Sequence, residues 1–212
     1  MGIFAPDGKL AAFLNGLGSL IVLNILTLIC CLPVVTAGAA LCALFTMTMR
    51  MVRKEDGKII KEYFAAFRQN FKKSTIVWLA GIFLTAFMAF DIYILSGMEG
   101  KWMLIYRIVL LVLIVILGII LLYYLMLQAR FENTIRETLK NAVILAVVKH
   151  ILSILMLAVM FAPFLLYMVS LRFLSVGFLL GISGPAYLIS IFFVSVFRSL
   201  EPKTEDEEET EE

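Results

Sequence analysis

Charge along this chain is confined to short stretches between long apolar runs. Leu10 to Met49 contains no Lys, Arg, Asp or Glu, and neither do Ser74–Phe90, Ile108–Leu127, Ile151–Leu171 or Phe173–Phe197. An uncharged apolar run of ~18 residues or more can cross a bilayer as a helix. The first run is too long for one crossing. Phe13 to Met49 would make a helix of about 55 Å at ~1.5 Å per residue, against a hydrocarbon core of ~30 Å. Pro33 and Gly38 sit near its middle. Proline removes a backbone donor and clashes with the preceding turn, and glycine relaxes the local steric limits. The pattern predicts a helix over Phe13–Leu32, a tight turn through Pro33–Gly38 and a second helix over Ala39–Val52. Further crossings are expected at Ser74–Leu95, Trp102–Gln128, Ala142–Val169 and Leu174–Phe197. The predicted fold is all-α, a polytopic transmembrane helical bundle of about six membrane helices. Five is the count if the first run is one kinked or re-entrant element.

Two segments between the runs have a different period. Ile60, Phe64, Phe67 and Phe71 recur at helical spacing, with Lys61, Arg68 and Lys72 expected opposite them. Phe131, Ile135, Leu139 and Ala142 repeat the stripe, opposite Glu132, Arg136 and Lys140. Such spacing makes a narrow apolar face. Each stripe leads into a similar motif, NFKKSTIVWLA at 70–80 and ETLKNAVILAV at 137–147. The expectation is two related helical hairpins, each led by an amphipathic surface helix. Internal repeats of this kind occur in transporter folds. The Phe face suits the headgroup layer or a partner's groove, so Phe64, Phe67, Phe71 and Arg68 are the candidate docking residues.

The charges then orient the bundle. Arg50, Arg53, Lys54, Lys58, Lys61, Arg68, Lys72 and Lys73 fall in one loop, and Arg130, Arg136 and Lys140 in another. The positive-inside rule places both in the cytoplasm, with Gly97–Lys101 and Ser170–Phe173 outside and both termini inside. Composition agrees with a membrane protein: 62% of residues are hydrophobic and 16% charged, against roughly half and ~25% in soluble domains. The formal net charge of +2 hides an asymmetry. Residues 201–212, EPKTEDEEETEE, carry eight acids and one Lys. They read as a disordered acidic tail after a helical membrane domain at 1–200. The small residues Thr36–Ala40 resemble a signal cleavage site. However, the apolar stretch before them exceeds the usual ~7–15 residues, so the segment is read as retained. Cys30, Cys31 and Cys42 lie inside apolar runs at no metal or redox spacing and are read as apolar filler.

Little points to catalysis. The sequence has no GxxxxGK[ST] loop and no GxGxxG after a strand. His150 is the only histidine, and it sits beside Lys149 at an expected interface. No cofactor, metal or nucleic-acid partner is expected, and the chain reads as a non-enzyme. Asp91 and Arg107, each about a turn from an outer helix end, are expected either to pair or to mark an outer substrate site. A carboxylate at membrane depth costs several kcal/mol unless paired or hydrated. Pro33, Gly38, Gly181, Gly184 and Pro185 are the candidate helix breaks, the last three either for packing or for a broken helix lining a pathway.

On LPVVTAGAA at 32–40, YFAAFRQNFK at 63–72, ARFENTIRETLKNA at 129–142 and GISGPAY at 181–187, the chain resembles the YesL-like family of bacterial membrane proteins. The likeness spans residues ~10–198 and leaves out the acidic tail. It implies a plasma-membrane protein of Gram-positive-type bacteria that accompanies carbohydrate uptake systems of the ATP-binding-cassette kind. The implied partners are the bilayer and the permease or ATPase subunits. The family lends no catalytic residues. A small stand-alone transporter and a structural assembly protein are the other functions considered.

Overall fold

The computed structural model describes residues 9–55, 57–98, 100–169, 177 and 179–198. Among these there is no strand. Seven α-helices are present: α1 (Lys9–Cys31), α2 (Ala37–Val52), α3 (Ile59–Ile94), α4 (Lys101–Arg130), α5 (Ile135–Val148), α6 (His150–Val169) and α7 (Ser183–Arg198). Four segments are long and apolar enough to cross a membrane: Phe13–Cys31, Val34–Val52, Ile59–Gly97 and Lys101–Arg130. A fifth is reached if the bent pair α5–α6 counts as one span. The molecule is a helical membrane bundle with four to five candidate spans among the described residues.

The break in the first run falls at the proline. Thr36 satisfies the end of α1: its Oγ1 lies 2.6 Å from the Cys30 carbonyl oxygen and 2.8 Å from that of Pro33. A single 3-10 turn, Val34–Thr36, then feeds α2. The Trp78 indole Nε1 donates to the Val34 carbonyl at 2.9 Å and fastens the turn to α3. Gly38 is not part of the turn. It lies in the first turn of α2, where an added Cβ would come within 2.5 Å of Trp78 Cβ and 2.9 Å of the Ser74 carbonyl oxygen. Its role is close approach of α2 to α3. Gly81 does the same for α3 and α4, because a Cβ there would meet Leu121 Cδ1 at 2.5 Å. Most of α2 is buried, including Ala39, Ala40, Cys42, Ala43 and Leu44 with no exposed surface. It is the core helix, and it packs on α1, α3, α4 and α7.

Three expected element boundaries differ in the structure. The first amphipathic segment is no separate surface helix. It is the leading part of α3, which runs unbroken for 36 residues, about 54 Å at ~1.5 Å per residue. Nothing between Ile59 and Ser74 can stop a helix, since the stretch lacks Pro, Gly and a competing cap. The second amphipathic segment is a helix of its own. Residues 131–134 are non-helical. Thr134 and Glu137 then form a reciprocal capping box at the start of α5. The Ala142–Val169 crossing is interrupted at Lys149, where the helices bend by 97°. The two proposed repeats therefore differ in build: one amphipathic segment is collinear with its span and the other is nearly perpendicular to the next. The anticipated last crossing, Leu174–Phe197, is likewise divided. Gly181 and Ile182 form a turn and α7 starts at Ser183. With 16 residues it reaches about 24 Å, short of ~30 Å. The Ser170–Phe173 turn, the Leu174–Val176 start of that last crossing and the acidic tail lie outside the described residues.

Candidate docking surface and polar interior

The leading part of α3 has three longitudinal rows. Tyr63, Ala66, Asn70 and Ser74 are buried. Lys61, Arg68 and Lys72 are exposed and, at ~100° per residue, stand opposite the buried row. Phe64, Phe67 and Phe71 form the flank between them. The aromatic row is thus adjacent to the cationic row rather than opposite it, and the buried face is not the aromatic one. Phe64 is 40% and Phe71 37% exposed, while Phe67 is half-buried against the core with its ring 5.5 Å from that of Phe71. Tyr63 displaced the phenylalanines from the inner face because it has a buried partner. Its hydroxyl lies 3.3 Å from both Thr27 Oγ1 and the Ala40 carbonyl oxygen, joining α1, α2 and α3.

This end of α3 is held rigidly. Arg50 Nη1 pairs with Glu62 at 2.8 Å and Arg50 Nε with Glu55 at 3.0 Å, while Arg53 pairs with Glu55 at 2.6 Å. On the other side Lys73 Nζ donates to the Asn133 carbonyl at 2.8 Å, and Gln69 Nε2 donates to Glu132. Gln128 Nε2 donates to Asn70 Oδ1 at 3.1 Å between α4 and α3. Glu137 is held below its ordinary value of 4.5 by the hydrogen bonds of Thr134 that close the capping box.

At the opposite end Asp91 and Arg107 are not a pair. Asp91 accepts a 2.7 Å hydrogen bond from the Tyr106 hydroxyl. Arg107 Nη2 donates to the Leu95 carbonyl and, at 2.7 Å, to that of Met98. Arg107 thus caps the end of α3 and its following turn, and the neutral phenol is the carboxylate's neighbour.

Inside the bundle, polar groups join helices distant in sequence. Asn24 of α1 is fully buried, and its Oδ1 accepts from the Ile182 and Ser183 backbone N–H groups, each at 3.0 Å. A side chain of the first helix therefore caps the last. Thr48 Oγ1 and Ser190 Oγ lie 2.7 Å apart across the α2–α7 contact. Of Gly181, Gly184 and Pro185, Gly181 lies in the turn before α7 and the other two in its first turn. Sequence reasoning missed Asn24, Thr27, Thr48 and Ser190. Their signal was a polar side chain inside an apolar run, which in a bilayer calls for an internal partner. Beside α7's start lies a cavity of about 490 Å³, bordered by Leu44, Trp78, Thr85, Gly118, Leu121 and Ile182 among mostly apolar neighbours. No three His, Cys, Asp or Glu side chains among the described residues are grouped to hold a metal.

The comparisons with known proteins bear on the third of the chain that holds α2. Residues 20–92 match one family model. It describes a protein of unknown function, DUF624. The match takes in about half of α1, all of α2 and nearly all of α3, so it includes Asn24, Thr27, Gly38, Tyr63 and the aromatic row. No curated protein and no solved structure matches the chain.

Proposed function

We propose that this chain is a non-catalytic accessory subunit of a carbohydrate uptake system of the ATP-binding-cassette kind. It sits in a bacterial plasma membrane with its basic end in the cytoplasm. The observation that carries the reading is the unbroken α3. A helix of about 54 Å exceeds a bilayer of ~40–45 Å including headgroups, so its leading turns project beyond the lipid on the basic side. There Phe64 stands in an aqueous setting and Phe71, about 18 Å from the helix start, stands at headgroup level outside the hydrocarbon core, on a helix braced from both sides. Exposed aromatics on a rigid helix suit a partner's groove. The class of partner is taken from the YesL-like resemblance alone. A stand-alone sugar carrier is less well supported, because the cavity beside α7 offers a sugar few hydrogen-bonding groups, and polar ligands need such groups placed inside their pockets.

Co-purification from native membrane in mild detergent tests this reading. A permease or ATPase subunit is expected with the wild-type chain. Phe64→Ala combined with Phe71→Ala is expected to reduce its recovery at least tenfold, corresponding to hot-spot losses of about 2 kcal/mol, with expression and melting unchanged. Recovery unaffected by the double substitution, or sugar transport by the purified chain alone in liposomes, overturns it.

A further inference from the structure

The cationic row of α3 and the acidic end of the chain meet at one end of the molecule. Val194 and Ser195 of α7 border a cleft of about 240 Å³ with Val52 and Arg53 at the end of α2. Arg50 ties that same end of α2 to the first turn of α3 through Glu62. The described end of α7 thus lies next to the start of α3, and the residues after Arg198 are tethered there. They number 14 and include eight acids and one Lys within 201–212.

The cations nearby divide into two sets. Arg50 and Arg53 are engaged with Glu55 and Glu62. Lys58, Lys61, Arg68 and Lys72 are exposed and form no ion pair with another described residue. Lys61, Arg68 and Lys72 share one face over about 17 Å of helix. On the placement proposed above, the leading turns project beyond the headgroups, so lipid phosphates reach Lys58 and Lys61 poorly. An extended chain of 14 residues reaches about 45 Å at ~3.3 Å per residue, enough to run the whole row.

We propose that the acidic segment 201–212 lies back along Lys58, Lys61, Arg68 and Lys72 as the row's intramolecular counter-ion. The contact is a multivalent electrostatic one between an acidic strand and a rigid cationic helix face. Its local concentration is set by the short tether from α7. It stands independently of which partner the aromatic row engages.

Zero-length carbodiimide coupling of the full chain in nanodiscs of zwitterionic lipid, read by mass spectrometry, tests the proposal. Amide bonds are expected from acids of 205–212 to Lys58, Lys61 and Lys72, and not to Lys101 at the opposite end. They should form within one copy when isotopically heavy and light chains are mixed. Their yield should drop several-fold between 0.01 M salt, where the Debye length is ~30 Å, and 1 M, where it is ~3 Å. In a chain carrying Arg68→Gln and Lys72→Gln, the yield at Lys58 and Lys61 should also fall, with the melting temperature as the check on folding. No coupling, coupling unaffected by salt, equal coupling at Lys101, or mixed heavy–light products alone overturns the proposal.

Discussion

Gly38 and Asn24 show how much of this bundle depends on single atoms. A methyl group at Gly38 has no room, since Trp78 Cβ and the Ser74 carbonyl occupy its place, and both belong to the backbone-proximal part of α3. Gly38→Ala is therefore expected to lower stability by about 1–3 kcal/mol, the usual cost of overpacking, read as a lower melting temperature in detergent. Gly118→Ala serves as the control, because nothing lies within 4 Å of a Cβ there. Asn24→Leu keeps the branched shape, with somewhat bulkier methyl groups, but leaves the Ile182 and Ser183 N–H groups at the start of α7 without this acceptor. A loss of about 1–3 kcal/mol for each unsatisfied group follows. Asp91 and Arg107 give the opposite kind of test. Because they hold different partners, Asp91→Asn and Arg107→Gln should destabilise additively in a double-mutant cycle. A coupling energy of 1 kcal/mol or more would restore the direct pair.

Helix boundaries were legible where a breaker stood in the sequence and illegible where charge changed without one. Pro33 and the excess length of the first run located the α1–α2 break within two residues of its place. The switch from charged to apolar residues near Ser74 suggested two helices, yet composition alone cannot end a helix, and α3 continues through it. At α5 the signal was available in Thr134 and Glu137, whose spacing is that of a capping box. Its pH behaviour follows from the direction of the Glu137 shift. A carboxylate whose folded pKa is depressed adds stability above its unfolded value, and that stability is lost as pH falls through the folded pKa. Amide exchange in the first turn of α5 should thus accelerate, relative to its neighbours, as pH drops below about 4.5. Glu137→Gln should remove most of that dependence. The continuity of α3 has its own check: thiol probes placed singly at Lys61 and Gln69 should escape quenchers buried in the lipid, whereas one at Phe83 should not. Quenching at Lys61 equal to that at Phe83 would lay the leading segment in the membrane.

At the scale of the whole molecule, the bundle is built around α2, and the pairing that completes it was invisible in the sequence. Composition and run length established the membrane class. They could not show that Asn24 belongs with Ser183, because no local pattern links positions so far apart. The rows on α3 were half legible: the spacing of the phenylalanines was correct, but the buried hydroxyl of Tyr63 decided which face turns inward. The cap from α1 to α7 also sets an order of events during synthesis. At ~5–20 residues per second, Asn24 emerges from the ribosome roughly ten to thirty seconds before Ser183. Throughout that interval its amide oxygen waits for the N–H groups it receives in the finished molecule. The first helix therefore enters the membrane as an open socket and is locked only when the last one arrives. Chains stopped before Ser183 should hold α1 loosely, and the extent to which α1 can still be pulled from its neighbours reports whether synthesis has reached its end.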